Sequence, residues 1–85
     1  MALEMLYFAW VREAIGTAGE TVDPPAAVRT VGELIDWLAA RGGGYAEAFA
    51  DRGRLRAAID QNFVGLDAPL AGAREVALFP PVTGG

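Results

Sequence analysis

The stretch Thr30 to Ala39, TVGELIDWLA, is the element that the rest of this chain has to pack around. Thr30 stands three residues before Glu33, the spacing at which a cap hydroxyl and a carboxylate each satisfy a free backbone N–H of the other. Val31, Leu34, Ile35, Leu38 and Ala39 then recur at helical spacing and form one apolar stripe. The run Arg41 to Gly44, RGGG, closes the helix, because glycine reaches the left-handed conformation a helix exit often needs. It is not a phosphate loop: it follows a helix rather than a strand and lacks the Lys and Ser or Thr of a P-loop.

The flanking segments read mostly as strands. Leu3 to Trp10, LEMLYFAW, alternates Leu3, Met5, Tyr7 and Ala9 on one face with Glu4, Leu6, Phe8 and Trp10 on the other. VREAIG makes a single helical turn ending at Gly16, and Gly19 to Asp23 returns as a second strand that Pro24 and Pro25 stop. After the main helix, YAEAFA is a short helical piece, Leu55 to Asp60 a strand, QNFV a turn into a short strand, and Arg74 to Phe79 the last strand. At 85 residues there is room for one domain with one modest core. A hairpin, a crossover helix and a return to the same sheet predict an α+β chain of the β-grasp, ubiquitin-like type. Its mixed sheet carries the main helix on one face, with residues 1–79 as the folded domain and 80–85 as a flexible, extended tail ending in Gly-Gly.

One helix covers only one face of such a sheet. On the last strand Val76 and Leu78 share a face, while Ala77 and Phe79 share the other. If the Val76 side meets the helix, Phe79 points away from it, and by the same parity so does Phe8; Phe63 on its short strand is a third candidate. Several aromatics on an uncovered sheet face suggest a protein partner more than a small-molecule pocket.

Composition removes most other chemistry. The net charge is −4 and there is no clustered run of Arg, so the counterion release that drives binding to nucleic acid is missing. No apolar run approaches the roughly 20 residues of a membrane span. Glu4 sits near an N-terminus without the basic flank of a secretory signal, which predicts a cytoplasmic protein. Without His or Cys there is no imidazole base, thiolate nucleophile or common zinc site. Lys and Ser are absent as well, so the chain has no Schiff-base former, side-chain isopeptide acceptor or serine nucleophile.

The segment FPPVTGG, Phe79 to Gly85, supplies what the side chains lack. Pro80 and Pro81 have no backbone N–H, so they end ladder pairing and aim the tail off the sheet. From Pro80 to Gly85 the chain reaches roughly 20 Å, at about 3.3 Å per residue, enough to enter a site on another protein. Beyond Val82 and Thr83, Gly84 and Gly85 can thread a channel too narrow for other residues. The carboxylate of Gly85 is then the natural reactive group, a poor acyl donor until it is activated as a mixed anhydride with AMP.

YFAWVRE (Tyr7 to Glu13), the TVGEL helix start and EVALFPPVTGG (Glu75 to Gly85) closely resemble the small subunits of molybdopterin synthase, the MoaD type of sulfur carrier. The resemblance spans nearly the whole chain. It implies that Gly85 is adenylated by an E1-like enzyme, which uses ATP, and is then converted to a thiocarboxylate. The tail, with Gly84 as its thin approach, would enter the large catalytic subunit and give sulfur to cyclic pyranopterin monophosphate, building the molybdopterin dithiolene. It further implies a heterotetrameric complex, partner contacts at Phe8, Phe63 and Phe79, no cofactor bound by the chain itself, and no activity for this subunit alone. Two features depart from the family pattern. An acidic turn before the last strand is replaced by AGAREV, with Ala71, Ala73 and Arg74, and an Asn-Gln turn becomes Asp60 to Asn62, DQN. A thiamine-pathway sulfur carrier, a ubiquitin-like modifier joined to lysines of other proteins, and a β-grasp interaction module with an inert tail remain as alternatives.

Overall fold

The structure is a computed structural model that describes residues 2–81. Its elements run β1 (Leu3–Tyr7), α1 (Ala9–Ile15), β2 (Gly19–Val22), α2 (Val31–Ala39), α3 (Gly43–Ala48), a 3-10 turn (Arg52–Arg54), β3 (Arg56–Ile59), β4 (Asn62–Val64) and β5 (Glu75–Phe79). The five strands form one sheet in the order β2-β1-β5-β3-β4. β5 is parallel to β1 and antiparallel to β3, and the hairpins β1–β2 and β3–β4 are antiparallel. This is the expected β-grasp arrangement.

The main helix begins as its sequence dictates. Thr30 Oγ1 accepts the N–H of Glu33 at 3.1 Å, and Glu33 Oε1 accepts the N–H of Thr30 at 3.1 Å and that of Arg29 at 2.9 Å. Val31, Leu34, Ile35 and Leu38 of α2 join Leu3, Met5 and Tyr7 of β1 and Val76 and Leu78 of β5 in one buried cluster. Burying each such aliphatic side chain contributes about 1.5–3 kcal/mol relative to leaving it exposed. Both ends of the chain's described part are thereby tied into the same core.

The first strand is shorter than predicted. β1 stops at Tyr7, and Ala9 and Trp10 open α1, which is nearly two turns rather than one. Trp10, expected on the outward strand face, instead packs half-buried against the core. The chain turns at Ala9, whose φ is +54°, and the N–H groups of Val11 and Arg12 reach back to the Phe8 carbonyl. An apolar run cannot distinguish these outcomes by periodicity, because Phe8, Ala9 and Trp10 suit a strand and a helix start equally. As expected, α1 ends at Gly16, in the left-handed region at φ +96°.

The glycine run also works differently. Ala40, with φ −65°, caps α2, and Gly42 is the N-cap of α3, which starts two residues ahead of the predicted YAEAFA. Gly44 lies against α1 so closely that a Cβ there would sit 2.0 Å from the Ala14 carbonyl oxygen. The glycines therefore let α3 approach α1.

Candidate functional site: the open sheet face and the strand that leaves it

Strand register assigns the face that the helices leave uncovered. Leu6 of β1 pairs with Ala77 of β5, Ala77 with Ala58 of β3, and Ala58 with Phe63 of β4. Partners in register share a face, so these four residues make one apolar row across the sheet. Its centre is flat, because Ala58 and Ala77 have no side chain beyond Cβ, while Leu6 and Phe63 stand at its ends. Phe79 pairs with Arg56 on the same face, and its ring lies 5.6 Å from that of Phe63 at a tilt of 44°. Such a tilted pair is worth about 0.5–1.5 kcal/mol beyond its buried area.

The three phenylalanines singled out from sequence are thus placed differently. Phe63 is 82% exposed and Phe8 48%, the large apolar side chains most open to solvent among the described residues; Phe79 is half-buried. Phe63 and Phe79 touch. Phe8 lies one residue beyond the last β1–β5 pair, with its N–H donating to the Leu78 carbonyl at 3.2 Å. Phe8 is also the N-cap of α1, but its backbone is still extended, at φ −127° and ψ 155°, so the alternation that turns Tyr7 inward turns Phe8 outward, as expected from strand parity.

The exit of the chain adjoins this face. β5 ends at Phe79, and Pro80 and Pro81 follow outside any strand. Val82, Thr83, Gly84 and Gly85, on which the reactive part of the tail was predicted, lie outside the described residues. A hollow of about 210 Å³ bounded by Arg56, Ala57, Phe63, Val64 and Phe79 opens beside the exit. A larger one of about 500 Å³, lined by Pro24, Pro25, Val28, Pro69 and Leu70 among others, sits on the loops where β5 begins. It lies at the far end from the tail and offers mostly apolar wall.

The Asp60–Asn62 turn has a definite role. Asp60 and Gln61 both adopt left-handed φ, +48° and +72°, the two-residue geometry that closes a tight hairpin between β3 and β4. Asp60 Oδ1 accepts the N–H groups of Arg74 at 3.1 Å and Glu75 at 2.9 Å, and the Asp60 N–H donates to Glu75 O at 3.0 Å. The carboxylate thus holds the start of β5.

A polar cluster that sequence reasoning missed lies on the helix side of the sheet. Glu20 Oε2 accepts hydrogen bonds from the hydroxyls of Tyr7 at 2.8 Å and Tyr45 at 2.6 Å, while Arg41 Nη1 donates to Glu20 Oε1 at 3.2 Å. The Arg41 guanidinium also lies 5.1 Å from the ring centroids of both Trp37 and Tyr45. Burial pushes the Glu20 carboxyl up, but the hydrogen bonds from Tyr45 and Tyr7 and the charge of Arg41 outweigh it and hold the group below its ordinary value. Burial, then the bond to Glu20, raises both phenols. The cluster joins β1, β2 and α3; no linear pattern announces it, because its members are spread over 38 positions from Tyr7 to Tyr45. Among the described residues there is no group of three acidic, His or Cys side chains that could hold a metal ion, and no helix long and apolar enough to cross a membrane.

With the face and its exit in place, comparison with known proteins bears on their use. Residues 5–85 match the ThiS family. The chain belongs to that family. This ThiS-family chain is 43% identical over 83 residues to the molybdopterin synthase sulfur carrier subunit of Escherichia coli (strain K12), covering 98% of this chain and 99% of that protein. Among solved structures, it resembles a putative molybdopterin converting factor, subunit 1, from Pyrococcus furiosus, at 25% identity and a TM-score of 0.74, over 96% of this chain and 99% of that one. It also resembles small archaeal modifier protein 1 of Haloferax volcanii, at 25% identity and a TM-score of 0.65, over 95% and 98% of the two chains. The ThiS-family fold is therefore ubiquitin-like, as the strand order indicates.

Proposed function

We propose that this chain is the sulfur carrier subunit of a molybdopterin synthase, acting in the cytoplasm. The observation that carries the reading is its 43% identity, over almost the full length of both chains, to a protein of that function. The open apolar face beside the strand that leads into the tail supports it, since a carrier has to dock and insert a tail in one act. In this reading an E1-like enzyme transfers AMP from ATP to the Gly85 carboxylate, releasing pyrophosphate, and a sulfur donor at the sulfide level then attacks the acyl carbon and displaces AMP to leave a thiocarboxylate. Phe8, Phe63 and Phe79 dock on the large subunit, and Pro80 to Gly84 deliver the sulfur to cyclic pyranopterin monophosphate. In this reading the large subunit supplies the catalytic side chains and the substrate pocket, while this chain, which has no His, Cys, Lys or Ser, supplies the carrier terminus.

Intact mass after incubation with the activating enzyme, ATP and a sulfur donor is the direct test. Replacement of one oxygen by sulfur is expected, and removal of Gly85 is expected to abolish it while leaving thermal unfolding unchanged, since a terminal tip contributes little to the core. An unchanged mass under conditions that charge another carrier overturns the reading. The likeness to an archaeal modifier protein favours a second one, in which Gly85 is joined to lysines of other proteins. Covalent conjugates in place of the thiocarboxylate would select it.

A further inference from the structure

The open face carries uncompensated charge of opposite sign on the two sides of its apolar row. On the side where β5 begins, Glu4 and Glu75 are in register on neighbouring parallel strands, so two carboxylates stand next to each other on one face. Thr21 Oγ1 donates to Glu4 Oε2 at 2.8 Å and holds that side chain in place, yet neither carboxylate has an ion-pair partner among the described residues. On the side where β5 ends, Arg56 is in register with Phe79 at the last pair before the tail. Its neighbours are occupied: Arg52 pairs with Asp36, and Arg54 lies 5.1 Å over the ring of Trp10. Arg56 Nη1 donates only to backbone, Leu55 O at 2.8 Å and Gly53 O at 3.2 Å, which orients the guanidinium without neutralising it. Phe79 lies four strand steps beyond Glu75, so the charges are about 13 Å apart along the sheet.

An apolar row alone permits two dockings related by a half-turn, of which one sends the tail towards a cleft and the other sends it away. We propose that this charge polarity selects between them: Arg56 meets a carboxylate on the large subunit at the mouth of its cleft, and Glu4 and Glu75 meet basic side chains at the far rim. Reversed docking would set like charges against each other. Glu4 and Glu75 meet opposite charge only in the productive orientation, and charges so arranged speed encounter as well as fix register. The proposal rests on the sulfur-carrier reading, because it needs a partner that receives the tail.

The test is the association rate of the full chain with the large subunit, followed by stopped flow at low and high salt, for wild type, Arg56→Glu, Arg56→Lys and Glu75→Lys. Both reversals are expected to slow association about fivefold or more at low salt and much less at high salt, as charge-steered encounters do. Arg56→Lys is expected to stay within about twofold of wild type, and thermal unfolding of each variant, all altered at surface charges, checks that it folds. Equal rates and equal salt dependence for wild type and both reversals would overturn the proposal, while a wild type that still binds and delivers sulfur leaves the carrier reading standing. If the wild type itself fails to bind a large subunit, both fall. A dimer of the free chain that Arg56→Glu dissociates would assign these charges to a second copy, and that too overturns the proposal.

Discussion

Phe63 keeps 82% of its surface in water on a strand of only three residues, so it contributes to folding mainly through its ring contact with Phe79. Leu34, fully buried in the core cluster, is the opposite case. Truncating Leu34 to Ala is expected to cost about 2–5 kcal/mol, whereas Phe63→Ala should cost about 1 kcal/mol or less; thermal unfolding of the two variants measures the contrast. On the proposed sulfur-carrier reading Phe79→Asp should instead act on docking, because it would place a charge in an apolar contact, and tenfold or greater loss of affinity for the large subunit is expected by calorimetry. Unchanged affinity would move the interface to another face. The outward aromatics were legible in the sequence, since on β5 side chains alternate and Phe79 has to oppose Val76 and Leu78. Arg56 was not, because its place beside Phe79 depends on the register between two strands 23 positions apart, which no local pattern encodes.

Among the elements, α2 was the most legible because its start signal is local. Thr30 and Glu33 satisfy each other's backbone across one turn, whatever the rest of the chain does. Removing the hydroxyl in Thr30→Ala leaves the Glu33 N–H without its partner and is expected to cost about 1 kcal/mol. For a domain of this size that lowers Tm by about 4–8 °C; no shift would mean the box contributes nothing beyond the solvent it displaces. The boundary between β1 and α1 was not legible, since it is settled by tertiary packing: Val11 enters the core and α3 closes over α1 at Gly44. For the same reason RGGG could be recognised as a helix interruption, but not as the close-approach site that Gly44 makes.

At the scale of the molecule, Glu20 couples elements that sequence alone would treat separately. Its carboxyl lies below the ordinary value of 4.5, so the charged form is favoured in the folded state. Stability from this group is fully present above about pH 4.5 and is lost as pH falls through the lower folded value. Glu20→Gln is therefore expected to lower stability at neutral pH and to flatten the loss on the acid side, as read from denaturant midpoints between pH 3 and 7; an unchanged acid limb would assign that loss to other carboxylates. The β-grasp order was legible because one strong helix between strand pairs leaves few connections to choose from. That order also decides how the molecule bears force. β5, which runs out into the tail, is the middle strand, hydrogen-bonded to β1 on one side and β3 on the other. A pull on the end of β5 therefore loads two ladders in shear at once and cannot peel the strand from an edge, so on the sulfur-carrier reading proposed above the tail is a handle that can be drawn out of a partner's cleft without unravelling the body it is attached to.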